Sequence, residues 1–310
     1  MGIGILSIFV VFSLEFVIGN VVDGFIALVN CVDLVKRRKI SKVDQMLIAL
    51  AISRICLLWS VVVNILFSFA YAGRLSIQLL RISNMFWVVA NHFNLWLSTN
   101  LGLFYFLKIA HFSSSIFLYL KWRVRKVVSM TLLMSLVPLC SHVFAINTLL
   151  SVWTGACTRN MSYFYCAMNS TWFSRHLLLI NSVFGLMPLA FSLAVFFLLI
   201  LSLWKHQMQM QRAVWRARDA STTAHVKALQ TGVAFLLLYI AFMLSLVMQL
   251  WFFDFVDKHL LVFLCLVTGI TFPLGHSVVL VLGNSKLRRA SGIMLWVLGR
   301  RCRGVESPRP

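Results

Sequence analysis

Long apolar stretches alternate with short polar clusters along the whole chain. About 20 consecutive apolar residues cross a bilayer as a helix. Seven stretches reach that length: residues 3–35, 46–70, 82–107, 127–150, 177–204, 228–253 and 260–282. The only charges inside them are Glu15, Asp23, Asp33 and Arg54. In hydrocarbon a segment must satisfy its own backbone hydrogen bonds. The pattern therefore predicts an all-α membrane protein: one seven-transmembrane helix bundle over residues 1–310, with a tail at 283–310. No internal repeat or linker divides it. The first 35 residues hold no Lys or Arg, so the basic start of a cleavable signal peptide is missing and the first span reads as a retained helix.

Composition narrows the class. With 61% hydrophobic and 12% charged residues and a mean hydropathy of +0.90, the chain falls outside the range of soluble enzymes. Its net charge of +20 would suit a nucleic-acid partner, but the bases lie in short clusters between spans, so no nucleic acid is expected and the charge reads as topology. Alternate connections differ sharply: 22 of the 28 bases fall in one set and five in the other, with Arg54 inside a span. That asymmetry predicts an extracellular N-terminus and a cytosolic C-terminus. The sequons at Asn160 and Asn169 both fall between spans four and five, on the side predicted to be extracellular, and are the expected glycosylation sites. Cys157 and Cys166 share that loop and are free to bridge each other; Cys302, among arginines, has a weak palmitoylation pattern. The cysteine spacing suggests no metal site.

Polar groups inside spans are costly and mark structural partners or functional linings. They concentrate in span three, where Asn84, Trp87, Asn91, Asn94 and Ser98 recur at three or four residues on one stripe. Trp87 and Asn91 near its outer end offer an aromatic face with a donor and an acceptor to an apolar small molecule. Asp23 and Arg54, both near mid-membrane on neighbouring antiparallel helices, read as a structural ion pair. His276, after Pro273, reads as a buried hydrogen-bonding residue, and Glu15 as interfacial. No nucleophile, phosphate-loop or acid–base constellation is present, so no enzyme is expected. A transporter or channel for small apolar solutes is the alternative, weakened by the odd span count and the lack of matching halves.

Several fragments in order then carry a resemblance: Phe25-Ile-Ala-Leu-Val-Asn-Cys31, Leu50-Ala-Ile-Ser-Arg54, Asn91-His92, Phe104-Tyr-Phe-Leu-Lys108, Leu203-Trp-Lys-His206, His225-Val-Lys-Ala-Leu-Gln-Thr231, and His276-Ser277 with Leu282-Gly-Asn-Ser-Lys286. Together they resemble the bitter taste receptors, taste receptor type 2. The resemblance implies a G-protein-coupled receptor of the plasma membrane, multi-pass, detecting bitter small-molecule agonists and activating a heterotrimeric G protein of the gustducin or Gi type. It implies no cofactor beyond a bound sterol or lipid, with membrane lipids as further partners. Carried onto matching positions, its ligand-binding residues are Trp87, Asn91 and His92 on span three, Phe184 on span five, and Tyr239 and Phe242 on span six. Leu266 stands where the family's span-seven pocket is often polar, which implies a preference for neutral, apolar ligands. Lys108, Lys205, His206, His225 and Lys227, at the cytosolic ends of spans three, five and six, are the expected G-protein-facing residues.

Overall fold

The computed structural model describes residues 2–36, 41–70, 77–110, 115–160, 163–212, 220–251 and 258–305. Those residues are helical almost throughout and contain no strand, as a chain that must pair its own backbone groups in lipid requires. In order they form α1 (Gly2–Lys36), α2 (Lys42–Ala70), α3 (Ile77–Ile109), α4 (Ser115–Trp122), α5 (Val124–Met134), α6 (Leu136–Asn160), α7 (Tyr163–Arg212), α8 (Ala220–Trp251), α9 (Lys258–Gly283) and α10 (Ser285–Val305). Five described stretches are long and apolar enough to cross a membrane: Phe9–Val32, Lys42–Val63, Val124–Ala156, Trp172–Ser202 and Leu229–Trp251. The other two spans are α3, whose amides and hydroxyls lower its hydropathy, and α9, which bends by 91° into α10.

Three boundaries differ from the sequence pattern. Span four is broken at Ser135, between α5 and α6. Pro138 has no N–H to give the carbonyl of Met134, and Ser135 Oγ instead donates to the carbonyl of Leu132 at 2.7 Å. The connection expected between spans four and five is largely helical, because α6 and α7 run on past their apolar segments. Asn160 ends α6 and Asn169 lies in the first turns of α7, their side chains outside the described residues, as are those of Cys157 and Cys166. The tail is a helix, α10, capped by Asn284: its Oδ1 accepts from the Lys286 N–H at 3.0 Å.

Many polar side chains within spans bond to their own helix or to a neighbour, whereas Glu15 Oε2 and Asn94 Nδ2 are buried without a partner among the described residues. Asn20 and Asn30 of α1 donate to the carbonyls of Phe16 and Ile26 one turn back. Large apolar residues such as Val17, Leu28, Phe144 and Leu237 face outward, where a bilayer rather than water is their solvent. One core cluster joins Ile26, Leu47, Leu50, Leu97, Leu101, Leu280 and Leu287, and so ties α1, α2, α3, α9 and α10 at the end of the bundle where α10 begins.

Candidate functional site

The centre of the bundle is a polar knot built on Arg54. This side chain is 1% exposed, and a bare cation there would be prohibitive. Its Nε donates to Asn94 Oδ1 at 3.0 Å, Nη1 to Ser277 Oγ at 2.5 Å and Nη2 to Ser98 Oγ at 3.3 Å. Nη2 also lies 2.6 Å from His276 Nδ1. Asp23, the expected counter-ion, is 4.0 Å from Nη1, and Ser277 bridges the gap by donating to Asp23 Oδ1 at 2.5 Å. The charge pair is thus mediated by a hydroxyl, and four helices (α1, α2, α3, α9) meet on one guanidinium.

Above His276 an aromatic stack fills the space between α8 and α9. Phe235 lies 4.7 Å from the imidazole, Tyr239 5.0 Å from Phe272, and Phe242 stacks on Phe272 at 5.5 Å. Tyr239 is fully buried, and its hydroxyl donates to the Gly185 carbonyl of α7 at 2.8 Å. Two turns further along α7, Thr99 Oγ1 of α3 lies 2.9 Å from Ser192 Oγ, which donates to the Pro188 carbonyl. The proline therefore sits beside the two places where α3 and α8 grip α7.

A cavity of about 740 Å³ opens from the knot toward the end where α10 begins. Its polar rim is Ser98, Thr99, Ser192 and His276; its walls are Leu101, Phe106, Val195, Phe196, Leu199, Leu236 and Leu280; and Gly283, Asn284 and Ser285 stand at the junction of α9 and α10. An apolar chamber with a few convergent hydrogen-bonding groups is the usual form of a small-molecule or helix-docking site.

The six residues expected to bind ligand lie elsewhere, and none lines this cavity. Trp87 and Asn91 are half-buried on α3; Trp87 packs against two core clusters, one that includes Val88 and Phe173 and one that includes Phe12 and Ile270. His92 is buried, 3.3 Å from Ser135 Oγ of span four. Phe184 stacks on His142 with ring centroids 4.4 Å apart, and His142 Nε2 in turn lies 2.9 Å from Asn181 Oδ1. Tyr239 and Phe242 do share a face, in the aromatic stack. Lys108 is exposed at the end of α3, its ammonium 5.4 Å over the Phe104 ring. The side chains of Lys205, His206, His225 and Lys227 lie outside the described residues. Ser277, Phe235, Phe272, Thr99 and Ser192 received no role from the sequence, although the His276-Ser277 pair and the i, i+4 spacing of Phe235 and Tyr239 were both visible signals.

The fold and site define a multi-pass helical membrane protein with an internal polar knot and a chamber at one end. The family model Taste receptor protein (TAS2R) matches residues 1–299. The chain is 47% identical to taste receptor type 2 member 125 of Rattus norvegicus over 99% of both chains. It is also 47% identical to member 14 of Papio hamadryas, over 94% of this chain and 92% of that one, and 45% identical to rat member 140 over 98% of both. The chain belongs to the taste receptor type 2 family. It is a receptor, not an enzyme.

Proposed function

We propose that this receptor is a G-protein-coupled sensor of bitter small molecules at the plasma membrane, activating a heterotrimeric G protein of the gustducin or Gi type. The observation that carries the coupling is the chamber between α3, α7, α8 and α9. It encloses about 740 Å³ with mostly apolar walls, it lies at the end of the bundle where α10 begins, and its roof is His276, hydrogen-bonded to the Arg54 knot. The excess of bases on that side supports a cytosolic tail and an extracellular N-terminus.

On this reading, agonists meet the outer half of the bundle beside Trp87 and Asn91, with His92, Phe184, Tyr239 and Phe242 behind them. No hydrogen bond holds the Asn91 amide among the described residues, which leaves it for a ligand. Phe242 and Tyr239 lead from there through Phe272 and Phe235 to His276. A ligand that favours one packing of this stack shifts the receptor between two populations, and the chamber reports the shift to the G protein. Lys108, Lys205, His206, His225 and Lys227 then meet that partner. Asn160 and Asn169 are the proposed glycan acceptors.

The test is a calcium response in cells carrying a promiscuous G protein, read against a panel of apolar bitter compounds. Wild-type receptor should respond, and Trp87→Ala or Asn91→Ala should lower potency at equal surface level. Silence across the panel with receptor confirmed at the surface would overturn the reading.

A further inference from the structure

We propose that the corner between α4 and α5 is a binding site for the phosphate headgroups of anionic phospholipids. Helix α4 docks on the bundle through Phe117, which is buried against Phe106 at 5.7 Å. Lys121 turns the same way and donates to the Ala110 carbonyl at 2.9 Å, so it caps α3 and is not part of the outer face. The opposite side of the helix is left uncovered: Ile116 is 74% and Trp122 80% exposed.

At the corner itself the Arg123 guanidinium lies 5.1 Å from the Tyr119 ring centroid and 5.7 Å from that of Trp122. The two rings flank the guanidinium while Arg123 itself stays exposed, and a guanidinium's fork of N–H donors can grip two phosphate oxygens at once. Arg125 and Lys126 follow within one turn, both exposed, and no acidic residue occurs between Ser115 and Asn160 to neutralise them.

The depth of the corner is set by what comes next. One turn beyond Lys126 the outward face becomes Met130, Leu133, Met134 and Val137, all exposed, and such a strip requires hydrocarbon. The bases therefore stand at the headgroup layer, with the Tyr119 and Trp122 rings at the boundary that aromatic residues favour. A polyanionic headgroup with acyl chains along α5 and α6 satisfies the charge and the apolar strip together; a soluble phosphate satisfies the charge alone.

Full-length receptor in nanodiscs, which expose both leaflets and so remove any dependence on orientation, is examined by native mass spectrometry for retained lipid. The discs contain phosphatidylcholine with a minor fraction of a phosphoinositide. Each base near a charged surface contributes about fivefold in affinity, so R123Q/R125Q/K126Q should lose roughly a hundredfold. R123K, which keeps the charge but not the guanidinium's fork of donors, should lose several-fold, and it serves if the triple variant does not fold. Unchanged retention in either folded variant overturns the proposal. Displacement by the free inositol phosphate as readily as by the whole lipid would assign the corner to soluble phosphates instead. Impaired G-protein coupling with unaltered lipid retention would assign it to the protein partner.

Discussion

Arg54 Nη2 and His276 Nδ1 stand 2.6 Å apart in the buried centre of the bundle. A guanidinium is always a donor, so Nδ1 accepts and the imidazole proton belongs on Nε2, a tautomer assigned from the bonding rather than seen. The other hydroxyls fall into line: Ser277 accepts from Arg54 and donates to Asp23, and Ser98 accepts from Arg54 and donates to the Asn94 carbonyl. Each serine takes a proton from Arg54 and passes its own on, so the knot behaves as a single unit, although the buried Asn94 Nδ2 finds no partner among the described residues.

Removing one member should then cost more than its own bond. Arg54→Met leaves Asp23 buried with Ser277 alone, and breaking a buried charge pair costs about 3–5 kcal/mol. We expect little folded receptor at the surface and a large drop in thermal midpoint in detergent. Asp23→Asn should be mild, because its amide oxygen still accepts from Ser277, whereas Asp23→Ala should be severe. The double variant Arg54→Met with Asp23→Leu should be less damaging than the two single effects added. Strict additivity in the thermal scans would show the two residues to be independent.

The Tyr239 hydroxyl should matter beyond its ring. Tyr239→Phe keeps the stack against Phe272 but leaves the Gly185 carbonyl without this donor, a loss of about 1 kcal/mol. The hydroxyl is the link between α8 and α7 beside Pro188, so basal signalling should change in the same variant. Thermal midpoint and basal inositol phosphate, measured together, check this; wild-type values for both would remove the link from the mechanism.

Close approach of α9 to α8 at the chamber's end makes a third case. A Cβ on Gly283 would lie 2.6 Å from Thr231 Oγ1, a contact that a short β-branched side chain cannot relieve by swinging away. Gly283→Ala should destabilise the receptor and shift α9 against α8, and adding Thr231→Ala should recover most of the loss. Thermal midpoints of the four-member cycle give the coupling directly, and no recovery in the double variant would place the strain elsewhere.

The seven spans were legible because lipid imposes one periodicity-free rule, long apolar runs, and the spans obey it at all but their ends. The ends were not: α6 and α7 continue as helix past their apolar runs because nothing in a basic or polar flank forbids a helix from continuing. The break at Ser135 was visible in principle, since Pro138 must release the Met134 carbonyl. For the site, the pairing of Asp23 with Arg54 could be guessed from depth alone, since few charges share that depth. Ser277 between them could not, because a serine on α9 says nothing of which helix it faces. Span three shows the same limit. Its stripe announced a polar interior, but Asn94 and Ser98 turn to Arg54, and Asn100 accepts from Thr131 of α5. Spacing gives the face of a helix, and only packing gives its neighbour.

The last prediction concerns the joint between the bundle and its tail. Lys286 Nζ donates to Asn30 Oδ1 at 2.7 Å and to Asp44 Oδ1 at 2.9 Å, pinning the first turn of α10 to α1 and α2. Both partners of the ion pair are about a quarter exposed, 29% and 23%, so solvent screens it and the charge alone is worth little. Its value is positional: with Asn284 capping the helix and Leu287 buried in the core below, it sets where α10 leaves the chamber's end. Lys286→Ala should therefore leave the thermal midpoint within a few degrees of wild type, a change of about 1 kcal/mol or less. Amide exchange across residues 285–292 should rise severalfold, and G-protein activation should fall more than stability does. Asp44→Asn should give a weaker version of the same pattern. If α10 exchange in Lys286→Ala matches wild type, Asn284 and Leu287 hold the tail without it, and the ammonium is only a surface contact.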